Sequence, residues 1–195
     1  MSIDAPPRIY VFDFDQTITH IHTGGCAVTP EEISEEYIHS NLKDGFVELI
    51  DGLARKNISV YIATYGDDRF GRDFDGATVG HALVKRYMDV AFGVDQTHFH
   101  FAQDNTGEIH GNIIARYSLD GKQYHLTRIL AREGIDDSDP IAMHSILLLD
   151  DDAQNVHYFA QRGCATMVPS SPYESARQAA DPGLMNALLD GLKPA

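Results

Sequence analysis

Four consecutive large aliphatic residues, Ile146 to Leu149, run directly into three aspartates, Asp150 to Asp152. An apolar run with no polar alternation has no face to offer to water, so it belongs in a sheet covered on both sides. Two other stretches share this character. Residues 9–13, IYVFD, and 58–64, ISVYIAT, are rich in β-branched and aromatic side chains, and each closes in a polar residue. A short strand is expected over ATMV, 165–168, and another over 97–102, which makes five.

Between these strands the apolar residues recur at helical spacing. Phe46, Leu49, Ile50 and Leu53 predict a helix over 43–55, and Leu83, Val84, Tyr87 and Met88 predict one over 77–91. Lys122 opens a helix that buries Leu126, Ile129 and Leu130; Val156, Phe159 and Ala160 mark the next, and Leu184, Leu188 and Leu192 a terminal one. A short helix is also expected from Thr29, where Pro30 and Glu32 suit its first and third positions. Strands alternating with helices of this length predict an α/β fold: a mostly parallel five-stranded sheet with helices on both faces. We expect one domain over 1–195, with small insertions around 18–40 and 103–118, the second holding a hairpin or an irregular excursion.

Composition narrows the partners. The 29 acidic residues against 15 basic ones leave a net charge of -14. That disfavours nucleic acid and anionic membrane, both of which need a basic face. No stretch approaches the roughly 18 apolar residues of a membrane span. The first residues, MSIDAPPRIY, lack the basic and apolar segments of a secretory signal, and Cys26 and Cys164 are too far apart for a disulfide scaffold or metal knuckle. A cytoplasmic setting is expected. Among the ten histidines, the pairs His20/His22 and His98/His100 lack further ligands at zinc spacing.

Ligands of such sheets sit beyond the carboxyl ends of the strands. Parallel pairing would bring Asp13, Asp15, Thr64 and Asp150 to Asp152 to one edge. Taken singly, each has a plainer role: an acidic turn, a strand residue, a helix cap. Taken together they are more informative. Asp13 and Asp15 face the same side of their strand and repel unless a cation sits between them. With Asp150 to Asp152 they supply oxygen ligands for a hard ion such as Mg2+. The Thr64 hydroxyl can donate to a phosphate oxygen, and the Lys122 ammonium can neutralise both a phosphate and a carboxylate. Residues 73–78, DFDGAT, repeat the acidic pattern but follow no apolar strand, so they read as a polar loop near the pocket. Arg69 and Arg72 either line its entrance or lie on a solvated loop.

These residues resemble the four signature motifs of the haloacid dehalogenase (HAD) superfamily, most of whose members are Mg2+-dependent phosphatases acting through an aspartyl-phosphate. DFDQT at 13–17 matches the opening motif, Thr64 in YIAT the second, Lys122 in DGKQYHLTRIL the third, and ILLLDDDAQN at 146–155 the fourth. Lys85, the rival for the third, lies mid-helix and far upstream of the acidic strand. The resemblance implies a Rossmann-like core with Asp13 as nucleophile and Asp15 as general acid and base. Thr64 and Lys122 would hold the phosphoryl group. Mg2+ would bind Asp13, the Asp15 backbone carbonyl and Asp151, with Asp150 and Asn155 supporting that shell.

Little chain remains for a cap domain, so the resemblance implies a capless or minimally capped member with an open pocket. The expected substrate is a phosphorylated protein side chain, phosphotyrosine by preference, or a small phosphomonoester. Two other readings stay open: a receiver-type signalling domain that holds one phosphoryl group, and an inactive HAD-like binding module.

Overall fold

The computed structural model describes residues 7–69 and 75–169. Five strands form one fully parallel sheet in the order β5-β3-β1-β6-β7. They are β1 Ile9–Phe12, β3 Ser59–Thr64, β5 Ile113–Ala115, β6 Ile146–Leu149 and β7 Ala165–Met167. Two short strands, β2 Cys26–Ala27 and β4 Thr78–Val79, pair antiparallel beside it. The helices are α1 Glu35–Asn41, α2 Phe46–Arg55, α3 Gly80–Phe92, α4 Gln123–Glu133, α5 Pro140–His144 and α6 Ala153–Gln161.

The pleat explains why the strands are apolar throughout. Tyr10, Phe12, Ile62, Ile113, Leu147 and Leu149 point to one face and pack with residues of α1, α2 and α3, among them Ile38, Leu49 and Met88. Their sequence neighbours Ile9, Val11, Tyr61, Ala63, Ile114, Ile146 and Leu148 point to the other and pack with Leu126, Ile129, Met143 and Phe159 from α4, α5 and α6. Both parities are therefore buried, as expected of a sheet sandwiched between helix layers. The mostly parallel α/β architecture expected from the sequence is the one observed.

Several boundaries differ, each for a local reason. The expected strand over 97–102 is absent; the edge of the sheet is β5, inside the segment read as a hairpin or an irregular excursion, where a single antiparallel bridge joins Gln103 and Ile109. Residues 98–100 are instead held by the Asn112 side chain, which donates to the Val60 and His98 carbonyls at 3.0 and 2.6 Å and accepts from the His100 N–H at 2.8 Å. Thr29 and Glu32 do bond reciprocally, but they close a 3-10 turn, Glu31–Ile33; α1 starts later, with Ser34 accepting from the Tyr37 N–H.

Helix α2 starts at Phe46 because Gly45 takes a left-handed φ of 79° just before it. Thr78 and Val79 are used for pairing with Ala27 and Cys26, so α3 begins at Gly80. Helix α5, unforeseen in the sequence, is capped by Asp139, which accepts from the Ile141 and Ala142 N–H groups. The terminal helix expected around Leu184 lies outside the described residues. Among those described, no helix is long and apolar enough to cross a membrane.

Candidate active site

Strand register places the central acids. Phe12 pairs with Leu149, so the next residues, Asp13 and Asp150, leave adjacent strands side by side. The ladder extends slightly past the strands: the Asp13 N–H donates to the Leu149 carbonyl at 2.8 Å and the Asp150 N–H to that of Met167 at 3.2 Å. Lys122, at the N-cap of α4, reaches between them, its Nζ 2.5 Å from Asp13 Oδ1 and 2.6 Å from Asp150 Oδ2. Lys122 and Asp150 are both 0% exposed, and Asp13 is 8% exposed. A fully buried ammonium is costly unless paired, and these two carboxylates supply the pairing. Burial pulls the Lys122 ammonium down, but the two acids outweigh it and hold it above the ordinary lysine value.

The acids outnumber the ammonium. Oxygens of Asp13, Asp150 and Asp151 all lie within 4.8 Å of one another. Burial pushes the Asp13 carboxyl up, Lys122 pulls it back, and Asp150 adds to the rise. Burial, and then Asp150, push the half-buried Asp151 carboxyl up as well. Three carboxylates facing one ammonium leave an excess of negative charge in a low-dielectric setting, and the donors are all hard oxygens. This is the chemistry that suits Mg2+, so the residues present fit that ion.

The other expected residues converge on the same cavity, about 550 Å3 in volume, which is lined by Asp13, Asp15, Thr64, Asp150, Asp151 and Asn155. Asn155 donates to Asp150 Oδ1 at 3.3 Å and accepts from the Tyr65 hydroxyl at 2.6 Å. The Asp152 N–H donates to the same Asp150 oxygen at 2.8 Å, and the Asp152 side chain caps α6. The Thr64 carbonyl accepts from the Arg116 N–H and from His125 Nε2, and its hydroxyl accepts from the Gly66 N–H. Asp15 sits past the strand, followed by Gln16 in a left-handed conformation, φ 58°, an uncommon backbone state for a side chain of this kind.

Not every charged candidate points inward. Arg69 is bound through two nitrogens to the buried Asp67, which also accepts from the Tyr117 N–H. Lys85 pairs with Asp89 one turn along α3, away from the acids. Arg72, Asp73 and Phe74 lie outside the described residues. Residues that the sequence reading missed also line the cavity: Tyr65, Tyr117, Gly24, Gly25 and Gly66, with His22, considered there only as a zinc ligand. Adjacency to Thr64 was the available signal for Tyr65 and Gly66; the 18–28 loop has no periodicity to read.

Two further features lie apart from these acids. A cavity of about 540 Å3 opens at the opposite edge of the sheet, lined by Arg8, Ser59 and Ser145 at the strand starts with Glu133 and Asp139; among the described residues no metal-ligating trio gathers there. A second group of possible metal ligands, Asp104, Glu108 and His110, is exposed, and Asp104 is already bonded to Thr106, the Glu108 N–H and His110.

No family model matches the chain, and no curated protein does. Solved structures do. The N-terminal part of the protein BF1531 from Bacteroides fragilis, containing a phosphatase domain and complexed with Mg, is 13% identical, with a TM-score of 0.51 over 97% of this chain and 41% of that one. DsGPDH of Dunaliella salina is 14% identical, with a TM-score of 0.49 over 85% of this chain and 24% of that one. What is shared with the Bacteroides fragilis structure is the fold. The chain spans about two fifths of that structure and about a quarter of the other.

Proposed function

We propose that this chain is a Mg2+-dependent phosphomonoester hydrolase of the HAD type, acting through a covalent phosphoryl intermediate on Asp13. The observation that carries the proposal is the buried Lys122 ammonium between Asp13 and Asp150, with Asp151 oxygens within reach, at the carboxyl edge of a parallel sheet. The phosphatase domain named for the Bacteroides fragilis structure, which has the same fold, adds support.

In the first step an Asp13 oxygen attacks phosphorus in line, the bond from phosphorus to the ester oxygen breaks, and Asp15 gives that oxygen its proton. In the second, a water oxygen attacks the same phosphorus and the bond to Asp13 breaks. Asp15 takes the proton from the water, and inorganic phosphate leaves with Asp13 regenerated. Lys122 holds Asp13 Oδ1 and so orients the other oxygen for attack, while the Thr64 hydroxyl donates to a phosphoryl oxygen. Asp13, Asp151 and the Asp15 carbonyl, with Asp150 and Asn155 behind them, would hold Mg2+, which when bound would supply the charge that lets an anionic nucleophile approach an anionic phosphate.

The substrate class we propose is a phosphorylated protein side chain, with phosphotyrosine the first choice, or a small phosphomonoester. The rings of Tyr65 and Tyr117, 6.4 Å apart, flank the cavity and suit an aryl leaving group. The acidic surface supports a partner other than nucleic acid, and two free thiols fit a reducing cytoplasmic setting.

Asp13→Asn tests the assignment. Phosphate release from p-nitrophenyl phosphate is expected to require Mg2+, to continue for many turnovers, and to vanish in this variant. A single phosphoryl group trapped per chain would favour a receiver, and undiminished activity of Asp13→Asn would end the proposal.

A further inference from the structure

The loop between Asp15 and β2 contacts the Asp15 carboxyl group in one specific way. Asp15 Oδ1 accepts two hydrogen bonds from a single residue, Thr23: from its hydroxyl at 2.6 Å and from its N–H at 3.0 Å. Thr23 Oγ1 in turn accepts from the Gly25 N–H at 3.1 Å, which turns the hydroxyl proton toward Asp15.

The loop is itself anchored. The Gly25 carbonyl accepts from the Gly80 N–H at 2.9 Å, and Cys26 and Ala27 pair with Val79 and Thr78. The packing is close at two glycines, and at Gly80 it requires one. A Cβ on Gly66 would stand 3.3 Å from the Gly25 Cα, and one on Gly80, φ 53°, would stand 2.7 Å from the Asp68 backbone nitrogen. A chain of short contacts thus runs from the start of α3 to one carboxylate oxygen.

An oxygen that accepts two donors has both its lone pairs engaged. Oδ1 is thus held by the loop, and Oδ2, 3.3 Å from His22 Nδ1, is the oxygen left for the ester. His22 and Asp15 both line the cavity.

We propose that Thr23 is a positioning residue that fixes the Asp15 carboxyl group through Oδ1 and so aims Oδ2 at the leaving oxygen. This rests on the phosphatase reading above. Thr23 touches no reacting atom; it acts through Asp15. In the proposed reaction a proton passes from Asp15 to the ester oxygen as the phosphorus–oxygen bond breaks, and one returns from water in the second step.

Leaving-group dependence separates this role from general damage. A poor leaving group needs its proton during bond breaking, whereas a good one departs without help. With an alkyl phosphate as substrate, Thr23→Val is expected to lower kcat by about 10- to 100-fold. With 2,4-dinitrophenyl phosphate the loss is expected to stay within about threefold, and Thr23→Ser should recover most of the alkyl activity. Equal losses on both esters, or none, would overturn the proposal.

A second measurement does not need turnover. Exchange of the Thr23 amide hydrogen is expected to be slow in the wild type and in Asp15→Asn, which keeps an acceptor, and fast in Asp15→Ala. The same rate in the wild type and Asp15→Ala would overturn it. A wild type that hydrolyses neither ester would refute the phosphatase reading, and amide exchange would then decide by itself whether Thr23 holds Asp15.

Discussion

At the scale of single residues, the centre of the molecule carries unusual charge. His125 is buried beside Lys122, and its Nε2–H is committed to the Thr64 carbonyl at 2.9 Å. Burial, followed by the Lys122 charge, pushes its imidazole down to about 3, whereas the unfolded chain titrates near the ordinary 6.5. Between those values the unfolded state binds a proton that the folded state does not, so stability rises with pH. This contribution is complete above pH 6.5 and is lost as the pH falls below it, by about 1.4 kcal/mol per unit. Urea unfolding at pH 7 and pH 5 should show a smaller drop in midpoint for His125→Gln than for the wild type. Lys122 was legible because it stands at a helix start, ahead of the acidic strand. His125 was not, since a histidine on an apolar helical stripe carries no mark of what it will face.

At the scale of elements, the sheet shows where periodicity misleads. In HFHFA, residues 98–102, aromatics alternate with polar residues as a half-buried strand would, and the alternation is real. Phe99 is buried against Phe46 and Phe92, and Phe101 stacks on His81 at 3.7 Å. What is missing is a ladder partner, because β3 gives that edge to the three-residue β5. The Asn112 side chain does the holding together with two backbone bonds, from the Ile113 N–H to the His100 carbonyl and from the His110 N–H to the Ala102 carbonyl. Asn112→Ala removes three hydrogen bonds and strands their backbone partners, which should cost about 2–3 kcal/mol in denaturant unfolding. Its effect on phosphate turnover should be slight at temperatures where the variant stays folded. The strands β1, β3 and β6 were legible because their both-sided burial leaves a run with no alternation at all. The β2–β4 pair was not, since two residues per strand hold too little pattern.

At the scale of the whole molecule, one parallel sheet gathers acids from opposite ends of the chain into one place. Their mutual repulsion is a folding cost that a divalent ion relieves, so Mg2+ should stabilise the folded protein by mass action. At a hundredfold excess over its dissociation constant the gain is about 2.7 kcal/mol. Thermal unfolding with and without Mg2+ should show a higher midpoint with the ion for the wild type, and little change for the double variant Asp13→Asn, Asp151→Asn. An equal rise in both would mean that the ion binds elsewhere, for example at Asp104, Glu108 and His110.

The Lys122 bridge joins groups that are 109 positions apart in the chain on the Asp13 side alone. Local folding of any one segment cannot assemble it, and no half of the chain contains all of its parts. Cooperativity of folding and assembly of the site are thereby tied together: the bridge cannot close until β6 has docked beside β1.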